Sequence, residues 1–84
     1  MVTMTGKEVF EARATLGHMW GLGRALGPGE LGRALGLAPR NAGDTVLAWE
    51  RGHKPVSGPA AVAIAAMLAG YRPPHTAGDP DRQD

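Results

Sequence analysis

An all-α domain of four to five short helices is the fold class this sequence predicts, on three observations. Apolar residues recur at spacings of three and four, as in Val9, Ala12 and Leu16. Helix-start residues precede such runs at Thr5, Asp44 and Ser57. Glycine then stands where helices would stop, at Gly36, Gly52 and Gly70.

The elements follow in order. Thr5-Gly-Lys-Glu8 is a capping box, in which a threonine oxygen and a glutamate carboxylate satisfy each other's orphan amides, and the helix it opens is expected to run to about Leu16. Five glycines and Pro28 then crowd residues 17–29, which read as a long, partly ordered connection. A short second helix is expected over residues 29–35, with Leu31, Ala34 and Leu35 on one face and Gly36 as its left-handed end. A turn follows at residues 37–43, after which Asp44 is placed to cap a third helix reaching Arg51 and Gly52. At 100° per residue, Val46, Trp49 and the stem of Glu50 face inward. Asp44, Ala48 and Arg51 face outward, with Leu47 exposed on the flank. Ser57 caps a fourth helix, with Gly58 and Pro59 in its first turn and Gly70 at its end.

At 84 residues the chain is one small domain, too short for separate substrate and cofactor lobes. It has no cysteine, which removes disulfides, thiolate nucleophiles and cysteine-based zinc sites and favours a reducing, cytoplasmic setting. Its longest apolar run, residues 60–69 from Ala60 to Ala69, is half the roughly 20 residues a membrane span needs. The start of the chain carries Lys7 and Glu8 without an apolar stretch, so no signal peptide and a soluble protein are expected. The formal charge of +1 hides an asymmetry: residues 1–72 hold eight Lys/Arg against five Asp/Glu, net +3. Residues 73–84 hold Arg82 against Asp79, Asp81 and Asp84, net −2, among three prolines. The expected organisation is a folded domain at residues 1–72 and a disordered acidic tail at 73–84.

Catalytic and metal chemistry find little support. His18, His53 and His75 lack ligand spacing, and Gly21-x-Gly23 follows no strand and misplaces its third glycine for a dinucleotide loop. Ser57 is the only serine, and no histidine has a carboxylate partner implied by sequence. The helical carboxylates, Glu50 among them, read as solvated or salt-bridged to arginine. No enzyme activity, cofactor, metal or small-molecule substrate is expected. The hexapeptide Leu22-Gly-Arg-Ala-Leu-Gly27 recurs as Leu31-Gly-Arg-Ala-Leu-Gly36, nine residues later, too close for a structural repeat.

One constellation does point to a function. A short helix, a turn and a second helix ending in Trp49-Glu50-Arg51-Gly52 form a unit able to lay its second helix in a DNA major groove. Glu30-Leu-Gly-Arg-Ala-Leu-Gly-Leu37 followed by Thr45-Val-Leu-Ala-Trp-Glu-Arg-Gly52 resembles the Cro and lambda-repressor-like helix-turn-helix family, the XRE family, especially its short phage and mobile-element members. Lys54-Pro-Val-Ser-Gly-Pro-Ala-Ala61 resembles the loop and closing helix of those members. Two features depart from the family: Pro28 and Gly29 stand where a phosphate-binding polar residue is usual, and residues 39–43 look like a short insertion.

The resemblance implies a dimeric transcriptional repressor of double-stranded DNA, in which Asp44, Thr45 and Ala48 read bases and Arg51 extends that surface. Aspartate can accept from the cytosine amino group, while threonine and alanine can meet a thymine methyl. Arg40 and Asn41 are candidates for guanine, adenine or the backbone, and His53 and Lys54 for phosphate. Arg24 and Arg33 read as solvated or as distant phosphate partners. The run from Ala60 to Ala69, apolar all round, is the expected homodimer contact. The alternative is a protein-binding module on the same scaffold, an antitoxin or a small phage-encoded inhibitor, which the weak basic charge and the apolar Leu47 and Ala48 would suit.

Overall fold

Four α-helices make up the fold in a computed structural model that describes residues 3–73. The first, α1, spans Gly6–Met19. Its N-terminus carries the expected capping box: Glu8 N–H donates to Thr5 Oγ1 at 3.1 Å and Thr5 N–H donates to the Glu8 carboxylate at 2.8 Å. Val9, Ala12 and Leu16 form its buried stripe.

α1 outruns its expected end at Leu16 by a turn because Gly17 works inside the helix. A Cβ there would collide with the backbone of Arg24 and lie 2.8 Å from Ala25 Cα. The missing side chain lets residues 20–27 close onto α1. Leu22 N–H donates to Gly17 O and Leu26 N–H donates to Arg13 O, each at 2.9 Å. The segment expected to be partly ordered is therefore packed, with Leu26 fully buried and Trp20 half-buried against the core.

α2, Pro28–Ala34, starts one residue earlier than expected, with Pro28 in the first turn where no amide partner is needed. Gly36 ends it at φ +84°, the predicted left-handed position. α3, Ala42–Glu50, also starts early, and its N-cap is Asn41 rather than Asp44. Asp44 lies instead in the first turn, where its charge favours the helix dipole. The early start follows from packing: Ala42 is fully buried, and its Cβ would stand 2.6 Å from a Cβ placed on Gly32. α4, Gly58–Leu68, begins and ends as predicted, with Ala60 N–H donating to Ser57 Oγ at 3.3 Å and Gly70 at φ +120°.

α3 packs on α2 and on α1, and α4 packs on α1. The core gathers Leu16, Leu26, Leu31, Val46, Ile64 and Met67, all essentially inaccessible to solvent. Each such side chain contributes on the order of 2 kcal/mol. Among the described residues no helix is long and apolar enough to cross a membrane. The predicted tail lies, apart from Pro73, outside the described residues.

One polar group enters this interior. Arg13 Nε donates to Glu50 Oε2 at 2.7 Å, a terminal nitrogen donates to Glu50 Oε1 at 2.9 Å, and the other donates to Leu26 O at 3.0 Å. The side chains retain 12% and 9% of their exposure, so the pair is largely desolvated. Removing one partner strands a buried charge, and Glu50→Ala is expected to lower the unfolding free energy by about 3 to 5 kcal/mol in urea denaturation. The double substitution Arg13→Met with Glu50→Leu is expected to regain most of that loss, because it removes both charges together.

Candidate nucleic-acid interface

The outward edge of α3 is set by the inward one. Ala42, Val46 and Trp49 are buried and Glu50 turns in to Arg13. With those positions fixed, helical periodicity sends Asp44, Ala48 and Arg51 to the opposite side. Asp44 and Arg51 are exposed, Ala48 is half-buried beside them, and Thr45 is half-buried on the flank. Along the axis, Asp44 and Arg51 stand about 10 Å apart. Leu47, expected to be exposed, is half-buried, because the flank it occupies is partly covered.

The remaining predicted residues sit at the two ends of that edge. Arg40 and Asn41 are exposed in the turn leading into α3. Asn41 makes no capping bond through its side chain, so its amide remains available to an outside partner. His53 and Lys54 are exposed in the loop after α3. Their backbone amides both donate to Ala48 O, at 2.9 and 3.4 Å, which ties the loop back to the helix. All eight predicted residues thus belong to α3 or to the turns joined to it. Among the described residues Arg40, Arg51 and Lys54 form no ion pair.

The arginines outside α3 divide. Arg24 is engaged by Glu30 through two contacts of 2.7 and 2.8 Å, which removes it from the free cations. The Glu30 carboxylate also accepts from Gly27 N–H at 2.7 Å and so covers the start of α2. An incoming phosphate would meet that carboxylate, so this helix end positions α3 rather than offering an anion site. Arg33, in the last turn of α2, remains exposed and without an ion pair among the described residues. Sequence reasoning grouped Arg24 with Arg33 because the pairing of Arg24 depends on the path of the connection. The one signal was the presence of Glu30 six residues on.

No family model, curated protein or solved structure matches this chain. The site is therefore read from its own residues. It has hydrogen-bonding and cationic side chains along one helix edge and both adjoining turns. Among the described residues no three histidine or carboxylate groups converge as metal ligands.

The hydrogen bond from Arg24, with the Gly27 amide and the charges of Arg24 and Arg33, holds the Glu30 carboxyl below its ordinary pKa against the opposing effect of partial burial. A carboxyl depressed in the folded state adds stability that is complete above its unfolded pKa and is lost as pH falls through the folded value. Glu30→Gln is accordingly expected to melt lower than the parent at neutral pH and to converge with it below the ordinary carboxylate range. Thermal melts across pH 2 to 7 (about that window) check this.

Proposed function

We propose that this chain is a sequence-specific double-stranded DNA-binding protein of the lambda-repressor-like helix-turn-helix type, acting as a small dimeric repressor that occludes a promoter. The observation that carries the reading is the joint placement of the eight predicted residues. Asp44, Ala48 and Arg51 follow one helix edge with Thr45 on its flank, while Arg40 and Asn41 at one end and His53 and Lys54 at the other can hold the DNA backbone. A nine-residue helix about 14 Å long fits a major groove about 12 Å wide. With Arg51 and Lys54 on phosphate or on base edges, Asp44 near the helix start would accept from a cytosine amino group and Ala48 would lie against a thymine methyl. Asp44 also repels phosphate, so a non-cognate site would suffer an uncompensated like charge, which favours selectivity over general affinity.

One such helix covers only a few base pairs, and two copies on a two-fold site would supply the missing affinity. α4 is the surface that suits the contact. Residues 55–71 carry no charged side chain, and Val62 is 53% exposed. In a two-fold contact each group faces its own copy, so a neutral face is where a basic body meets itself without repulsion. Ala66, exposed beside Val62, should tolerate Ala66→Glu without unfolding. That variant is expected to sediment as a monomer where the parent is a dimer, and equal masses would remove α4 as the contact.

The test of the DNA reading is selection from a random duplex library by the purified chain, followed by titration of the winner across salt. An inverted repeat is expected, with affinity falling steeply as salt rises. Lys54→Ala and Arg40→Ala should each reduce the log–log salt slope by about 1 if they hold phosphate. Failure to enrich any sequence, with binding insensitive to both substitutions, would favour the alternative of a protein-binding module using Leu47 and Ala48.

A further inference from the structure

The capping box at the start of α1 uses only its outer members. Thr5 and Glu8 exchange the two bonds that close it, and nothing in that exchange calls for a glycine between them. Glycine is also a poorer helix former than alanine, so Gly6 weakens the turn it occupies. Its surroundings give it a use. A Cβ on Gly6 would collide with Trp49 O and lie 2.9 Å from Glu50 O and 3.0 Å from Glu50 Cα, all of them backbone atoms at the end of α3. The first turn of α1 therefore rests directly on the last carbonyls of the helix that carries Asp44 and Ala48.

Those carbonyls hold the turn that follows. Gly52 N–H donates to Trp49 O at 3.2 Å, and one residue back Ala48 O accepts from the amides of His53 and Lys54. Gly52 completes the reversal at φ +78°. A surface groove of about 510 Å³ is lined by Thr5 and Gly6 from the start of α1 and by Gly52 and Lys54 from the turn, which places the candidate phosphate contact beside α1.

We propose that Gly6 is a positioning residue of the DNA interface: its bare backbone lets α1 seat the end of α3, and that seat sets where His53 and Lys54 meet phosphate. The inference rests on the DNA-binding reading above and adds to it a residue that acts from behind the interface. Arg13 holds the same helix end through the Glu50 side chain, from a position seven residues further along α1. The two anchors differ in what they fix. The ion pair sets the rotation of α3 about its axis, whereas the Gly6 contact sets how closely its last turn approaches α1. Binding groups need placing to within about 0.5 Å, and moving Glu50 O from 2.9 Å to the 3.4 Å of ordinary contact already uses that tolerance.

The test compares the parent with Gly6→Ala and with Ile64→Val, a control that loosens the core from α4. On the duplex selected from the random library, the log–log salt slope counts phosphate contacts and does not follow the fraction of protein folded. Gly6→Ala is expected to lower that slope by about 1 and to weaken binding about tenfold at low salt, while Ile64→Val keeps the parent slope. In a Lys54→Ala background Gly6→Ala is expected to lower the slope little further, because the contact it disturbs is already gone. A parent slope in Gly6→Ala, or a second full loss in the Lys54→Ala background, would overturn the proposal. Amide spectra of the free proteins read the structural step: the Gly52, His53 and Lys54 amides are expected to shift in Gly6→Ala. Shifts confined to residues 5–9 would overturn the proposal by showing that the start of α1 frays instead.

Were Gly6→Ala unable to fold, Gly52→Val tests the same turn, since no atom lies within 4 Å of the added Cβ but a β-branched residue is strained at φ +78°. It is expected to fold and to show the same loss of slope; a parent slope there would overturn the link from turn to phosphate. If the parent itself binds no duplex, the DNA reading fails and takes the role of Gly6 with it. That result is distinct from a binding parent whose slope Gly6→Ala leaves unchanged.

Discussion

Arg13 places a guanidinium among apolar side chains, and the chain must neutralise and fully hydrogen-bond it or lose the fold. Glu50 supplies two carboxylate oxygens and Leu26 a carbonyl, so a single side chain of α1 fixes the last residue of α3 and the end of the irregular connection. Hydrophobic contacts among Leu16, Val46 and Ile64 would tolerate small rotations of α3, because burial has no preferred direction. A bidentate pair tolerates few, since both oxygens must meet both nitrogens in one plane. Once Glu50 is turned inward, the outward direction of Asp44, Ala48 and Arg51 is settled. The candidate interface is thus oriented from inside the molecule, by a residue 37 positions away from its partner.

Close backbone approach is the second requirement. Gly17 admits the connection to α1, and Gly32 admits α3 to α2, each at a distance no side chain would allow. Both contacts put backbone beside backbone or beside a small alanine, where volume cannot be recovered by a rotamer change. A domain this small has little spare core, so such approaches replace the bulk that larger domains obtain from aromatic residues. Trp49 is the exception, buried to 5% exposure beneath the same helix whose outer edge it helps to aim.

The electrostatics divide along the same line. Two arginines and two glutamates are used within the fold, Arg13 with Glu50 and Arg24 with Glu30, and their charges cancel in place. The basic excess of the body is therefore carried by other side chains, including Arg33, Arg40, Arg51 and Lys54 on α2, α3 and the adjoining turns. A modest net charge can in this way support a locally cationic edge, with Asp44 interrupting it.

Much of this architecture was legible in the residues. The capping box at Thr5, the serine cap at Ser57, the stops at Gly36 and Gly70, and the inward set of Val46 and Trp49 all express local rules of backbone satisfaction and helical period. What local rules could not decide is clearest in the repeated hexapeptide. Residues 22–27 form an irregular segment with Gly23 at φ +71°, whereas the identical residues 31–36 form the body and end of α2. Their own propensities are the same, so the difference comes from surroundings. The first copy lies against α1, held by Arg13 and admitted by Gly17, while the second follows Pro28 and the Glu30 carboxylate at a helix start and packs on Ala42. Capping chemistry and helical period, both local, set where helices could begin and end. Folding selected which segment became one, which arginines entered ion pairs, and which way α3 faces, because those outcomes depend on groups brought together only by packing.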